Sequence, residues 1–90
     1  MSGYPPVAPS YKVPEEFLFL CMLHNIGAVN TTRAITIEEI SKWTERETSE
    51  IQYNLSKLQE LGYVLTIQES RADRFHVSPS GIRKVLTLYS

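Results

Sequence analysis

The sequence predicts an α+β domain, mainly α, with three helices, a two-stranded β-hairpin and a C-terminal helix. Three observations carry that prediction. Apolar residues from Ile37 to Leu61 recur at steps of three and four, the spacing of one helix face. From Tyr63 to Val77 the pattern changes to β-branched and aromatic runs about a polar tip. Gly27 and Gly62 follow the first and third apolar stretches, where glycine commonly ends a helix. The chain has 90 residues, 42% hydrophobic and 21% charged, which fits one globular domain and excludes a disordered polymer.

Residues 1–13 read as a proline-rich arm and 14–90 as the folded domain, because four of the five prolines fall between Met1 and Pro14. Pro14 can open a helix, and Glu15 and Glu16 suit its positive N-terminal end. The run Phe17–Leu23 makes that helix apolar on nearly every face. A domain this small has difficulty burying a helix all round. Either a second chain or the proline arm covers the remaining face. Phe17, Leu18, Phe19 and Met22, with Leu86 and Tyr89 of the last helix, are therefore the candidate dimer interface.

Thr36 and Glu39 have capping-box spacing and start a second helix, with Ile37, Ile40 and Trp43 on its apolar side. A minor strand is expected just before it, at Ala34–Ile35. Thr44-Glu45-Arg46-Glu47 repeats the capping spacing ahead of a third helix over about 48–61, which carries Ile51, Leu55, Leu58 and Leu61 at steps of four, three and three. Tyr63–Ile67 and Arg74–Ser78 form the hairpin, with Ser70–Asp73 as its tip. Ser78-Pro79-Ser80-Gly81 opens the last helix, whose stripe is Ile82, Val85, Leu86 and Tyr89.

Three stretches, in order, resemble those of MarR-type and related small archaeal or bacterial regulators. Ile37-Glu38-Glu39-Ile40-Ser41 looks like the opening of the positioning helix. Ile51–Val64, closing on Leu61-Gly62-Tyr63-Val64, is similar to the recognition helix and its step into the wing. Arg71–Gly81 looks like the wing, with an Asp-Arg tip and a Ser-x-x-Gly entry to the last helix. The resemblance covers residues 14–90. It implies a winged helix-turn-helix fold, and with it a sequence-specific DNA-binding transcription regulator whose partners are double-stranded DNA and a second copy of itself.

That resemblance places helix 48–61 in the major groove and the wing, residues 70–74, on the backbone or minor groove. With Ile51, Leu55 and Leu58 facing inward, Ser49, Gln52, Tyr53, Ser56 and Lys57 face out. A glutamine suits adenine, serines suit bases or phosphates, and a tyrosine suits a thymine methyl or a phosphate. Thr48 and Arg46 precede them, and Arg71 and Arg74 flank the wing tip. The same polar residues are also normal on a solvated helix, and Arg71 has Asp73 nearby as a surface ion-pair partner.

Two features depart from the regulator pattern. The turn before the third helix usually carries a glycine and then an apolar residue, whereas Glu45 and Arg46 stand there. A left-handed Glu45 would be strained, so a different or longer turn is expected, with Arg46 directed outward to phosphate. Charge is the second departure. The chain has a net charge of −1, with six acids and three bases over 36–62 and two acids and four bases over 63–90. So acidic a helix-turn-helix binds phosphate weakly, and DNA binding leans on a dimer with two wings. The alternative is a winged-helix module for protein–protein contact in a larger assembly.

Catalysis and metal binding find little support. Cys21 and His24 share a helix face, but His76 is the only other histidine and no four-ligand set is evident. No phosphate loop or Ser-His-Asp set is recognisable. The expectation is a non-enzyme without cofactor or metal. The lone Cys21 points to a reducing, cytoplasmic setting, and Phe17–Leu23 is far shorter than a membrane span.

Overall fold

Two helices of this chain stop in the same way, and each stop redirects the backbone into the next element. The computed structural model describes residues 13–89. α1 covers Glu15–Asn25, and the Pro14 carbonyl accepts from the amides of Phe17 and Leu18. At its end Gly27 takes φ 90°, so that Ala28 N donates to Leu23 O and Gly27 N to His24 O. α3 covers Thr48–Glu60 and ends identically, with Gly62 at φ 79°, Tyr63 N donating to Leu58 O and Gly62 N to Gln59 O. These paired bonds are Schellman motifs, which satisfy the last helical carbonyls and turn the chain sharply. The expected proline arm lies, apart from Val13, outside the described residues.

Between them run a single 3-10 turn at Thr31–Arg33, capped by Asn30, then β1 (Ile35–Thr36) and α2 (Ile37–Thr44). The predicted minor strand is thus displaced by one residue. Thr36 Oγ1 accepts from Glu39 N and Glu39 returns a carboxylate oxygen to Thr36 N, so the capping box forms as expected. Trp43 does not join the apolar side: it is 68% exposed. At 3.6 residues per turn it lies roughly 100° from the midline of Ile37, Ile40, Ser41 and Thr44, which face inward.

The α2–α3 turn corrects two expectations. Thr44 does not cap α3; its hydroxyl donates back to Ile40 O and accepts from Arg46 N. Glu45 occupies the left-handed region, φ 58° and ψ 30°, so the turn is built as though glycine stood there. Its amide bonds Ser41 O, and Ser41 Oγ donates to Arg46 O, closing the turn on itself.

β2 (Val64–Ile67) and β3 (Arg74–Val77) form the hairpin, and β3 lies centrally in an antiparallel β1-β3-β2 sheet. Thr66 faces Phe75 and Leu65 faces His76 in register, while Ile35 pairs Phe75 from the other edge. α4 (Pro79–Leu88) starts on Ser78, whose hydroxyl accepts from Gly81 N and donates to Gly62 O. Leu86 stands outside the expected stripe and is exposed, whereas Val85 is fully buried.

The core gathers Leu20, Leu23, Ile40, Ile51, Leu58 and Val77 from every layer. α1 meets α3, α4 and β3, so its apolar surface is covered on three sides by this chain. That corrects one dimer expectation. Phe19 is 0% exposed and has no surface to offer a second copy.

Candidate nucleic-acid interface

Helical spacing sorts α3 into an inner and an outer face. Ile51, Asn54, Leu55 and Leu58 are buried; Thr48, Ser49, Gln52, Tyr53 and Ser56 are exposed, and Lys57 is half-buried. Gln52, Ser56 and Gln59, at steps of four and three, form a polar row directed at the wing. Ser49, Tyr53 and Lys57 form the next row round the helix. Lys57 Nζ lies 5.0 Å from the Tyr53 ring centroid, and Tyr53, followed by the charge of Glu16, holds the ammonium above its ordinary pKa.

A groove of about 490 Å³ opens between α3 and the wing. Gln52, Ser56 and Gln59 line one wall, Thr66, Gln68 and Asp73 the other, over a floor of Ile37, Leu55 and Phe75. Gln59 Nε2 donates to Thr66 Oγ1, tying helix to hairpin across the groove. Its lining holds amides, hydroxyls and one carboxylate but no cation. Gln59 and Gln68 were not among the predicted contacts. The helical row legibly extends from Gln52 through Ser56 to Gln59, whereas Gln68 depends on how the wing folds back.

The four predicted cations behave differently. Arg71 is exposed at the wing tip and makes no ion pair among the described residues, with Asp73 or otherwise. Arg74 sits at the wing base: Nε donates to Glu69 at 3.0 Å, Nη1 donates to Ala34 O at 3.0 Å, and Nη1 lies 3.9 Å from Glu39. Arg46 is only 25% exposed, with Nη1 at 2.6 Å from Glu15 and 2.5 Å from Glu50. Its bond to Glu15, and with it Glu50, raises its pKa further despite partial burial.

The residues expected at a dimer seam are also separated. Phe17 is half-buried, its ring centroid 6.1 Å from that of Tyr63 and 4.8 Å from Lys84 Nζ. Leu18, Met22 and Tyr89 are half-buried and Leu86 is exposed. Burial raises the pKa of both the Cys21 thiol and the Tyr89 phenol, which lie against one another. Among the described residues no group of three or more His, Cys, Asp or Glu could hold a metal ion, and no helix is long and apolar enough to cross a membrane.

The family model of the winged helix DNA-binding domain matches residues 19–81, which take in most of α1, all of α2 and α3, the Glu45-centred turn and the hairpin. The chain belongs to the winged helix DNA-binding domain family. It is a DNA-binding protein by that membership, as its motifs led one to expect. Solved structures share its fold. TubR from Bacillus megaterium pBM400 superposes with a TM-score of 0.70 at 21% identity, covering 82% of this chain and 83% of TubR. The DNA-binding TubR fragment from Clostridium botulinum superposes with a TM-score of 0.72 at 20% identity, covering 87% of this winged helix and 98% of the fragment. No curated protein matches the chain.

Proposed function

We propose that this winged helix is a non-enzymatic, sequence-specific transcription regulator, MarR-like in type, that binds double-stranded DNA as a homodimer in the cytoplasm. The observation that carries the proposal is the row Gln52, Ser56 and Gln59, exposed along α3 and facing the wing, whose tip carries Arg71 without an ion pair among the described residues. Neutral amides and hydroxyls read base edges, and a glutamine can pair with adenine N6 and N7 together. α3 enters the major groove on this face. Thr48 and Ser49 at its N-terminus, with Tyr53 and Lys57, reach bases or the adjoining phosphates, and Arg71 reaches backbone or minor groove. The Clostridium botulinum TubR fragment, a DNA-binding protein of the same fold, supports this reading. The dimer uses Phe17, Leu18 and Met22 of α1, Leu86 of α4 and Tyr89 just after it, apolar residues that retain some exposure.

Fluorescence anisotropy on DNA duplexes across a salt series tests it. Lys57 and Arg71 as phosphate contacts give a slope of log affinity against log salt of about −1.8 per protomer, or about −3.6 for a homodimer. Gln52→Ala changes which sequences bind best. Binding that ignores salt, or an unchanged preference in Gln52→Ala, refutes the proposal. The large exposure of Trp43 favours a second reading, in which α2 contacts a protein partner. On that reading Trp43→Ala abolishes complex formation and leaves DNA binding unaltered.

A further inference from the structure

Arg46 and Arg74 are each enclosed by two carboxylates, Glu15 with Glu50 and Glu39 with Glu69. One base with two acids carries a net charge of −1, so a phosphate nearing either arginine meets repulsion first. The two clusters nevertheless differ. Arg74 also donates to the Ala34 carbonyl at 3.0 Å, which fastens β3 to the chain before β1 and cannot be exchanged without opening that edge. Arg46 is held by side chains alone. Glu15 and Glu50 remain 53% and 43% exposed, and a single nitrogen of Arg46 serves both.

The geometry points to Glu15 and Glu50 as positioning residues that occupy Arg46 and thereby set the affinity for DNA. This inference rests on the DNA-binding reading above and goes beyond it. The guanidinium fork pairs with phosphate in the same way as with carboxylate, so the two compete for one group. Exposed ion pairs are weak enough to exchange without unfolding. Arg46 precedes α3 by two residues, so its release adds a cation at the N-terminal end of the recognition helix. Through Arg46, Glu15 of α1 is linked to Glu50 of α3, which ties the exchange to how firmly α1 holds the recognition helix.

The test compares the wild type with E15Q/E50Q, R46A and E15Q/E50Q/R46A on a mixed-sequence duplex about three helical turns long. Glu47→Gln, a neutralised acid beside Arg46 with no ion pair among the described residues, controls for bulk charge. E15Q/E50Q is expected to steepen the salt slope by about 0.9 per protomer, about 1.8 for the homodimer, making its gain in affinity about 12-fold larger at 50 mM than at 200 mM salt. That gain disappears when Arg46 is also replaced, while the small effect of Glu47→Gln persists in an R46A background. Should the double variant melt early, Glu15→Gln alone keeps the Glu50 pair and gives a partial gain. An equal gain with and without Arg46, no gain, or weaker binding overturns the inference. Binding with an ordinary wild-type slope but no Arg46-dependent gain overturns it alone. Absence of salt-dependent binding in all variants overturns the DNA-binding reading as well.

Discussion

Glu45 offers a direct test of how the helix-turn-helix is held. It stands at φ 58° and ψ 30°, a conformation costing an L-residue about 1–2 kcal/mol because its Cβ crowds the carbonyl. Glycine escapes that cost but loses about 0.5–1 kcal/mol through its freer unfolded chain. The Glu45 carboxylate forms no ion pair among the described residues and sits at the negative end of α2, so its loss removes nothing favourable. Glu45→Gly should therefore stabilise the domain by about 0.5–1 kcal/mol, which raises Tm by about 2–8 °C at this size. Glu45→Ala isolates the charge, since it keeps the Cβ and loses the carboxylate; it should gain a few tenths of a kcal/mol at most. Thermal melts and urea titrations of the three proteins decide the matter. If Glu45→Gly is no more stable than Glu45→Ala, the turn is not strained as argued.

Gly81→Ala should destabilise by about 1–3 kcal/mol, because a Cβ there overlaps the Tyr63 carbonyl and Val77 Cγ1; a urea midpoint checks it. Arg71→Ala should flatten the DNA salt slope by about 0.9 per protomer and leave Tm unchanged, whereas Arg74→Ala should lower Tm through the lost Ala34 bond. Burial raises the Cys21 and Tyr89 pKa values, so the folded chain holds protons that the unfolded chain releases. That contribution is complete at neutral pH and is lost as pH rises above about 8.5, where an ordinary thiol ionises. Unfolding monitored from pH 7 to 10 should show the decline, and Cys21→Ala should blunt it.

Most of the scaffold was legible because local rules decide it. Thr36 and Glu39 satisfy each other within one turn, Gly27 and Gly62 permit the positive φ that ends a helix, and Ser78 caps α4 from three residues away. The candidate site is legible only where a periodic row marks it, as for Gln52 and Ser56, which the structure leaves exposed on α3. Arg46 and Arg74 look like outward cations in the sequence because their partners are set by packing: Glu15 lies 31 residues from Arg46, and Ala34 lies 40 from Arg74. Glu45 shows the opposite failure. Propensity argued against a left-handed glutamate, but the Ser41 and Thr44 hydrogen bonds and the packing of α3 on α2 fix the turn regardless. Trp43 misled because three residues from Ile40 is an inward step only on the correct side of the helix.

Long-range partners also change what the basic C-terminal part of the chain means for DNA. Its four bases look like a surplus in sequence, yet Arg74 is engaged by Glu69, Glu39 and Ala34, Lys84 lies over Phe17, and Arg83 donates to Ser80. Arg71 alone remains unpaired on the wing, and Lys57 is the nearest cation on α3 without a carboxylate partner among the described residues. Two phosphate contacts lose only about 12-fold in affinity between 50 and 200 mM salt, against about 150-fold for four. On the proposed reading, Arg71 and Lys57 alone give a single copy little electrostatic hold on DNA, and specificity comes from the neutral groove residues. Two copies double the contacts without adding a cation to the chain, and opening the Arg46 clamp is the other route to the same end.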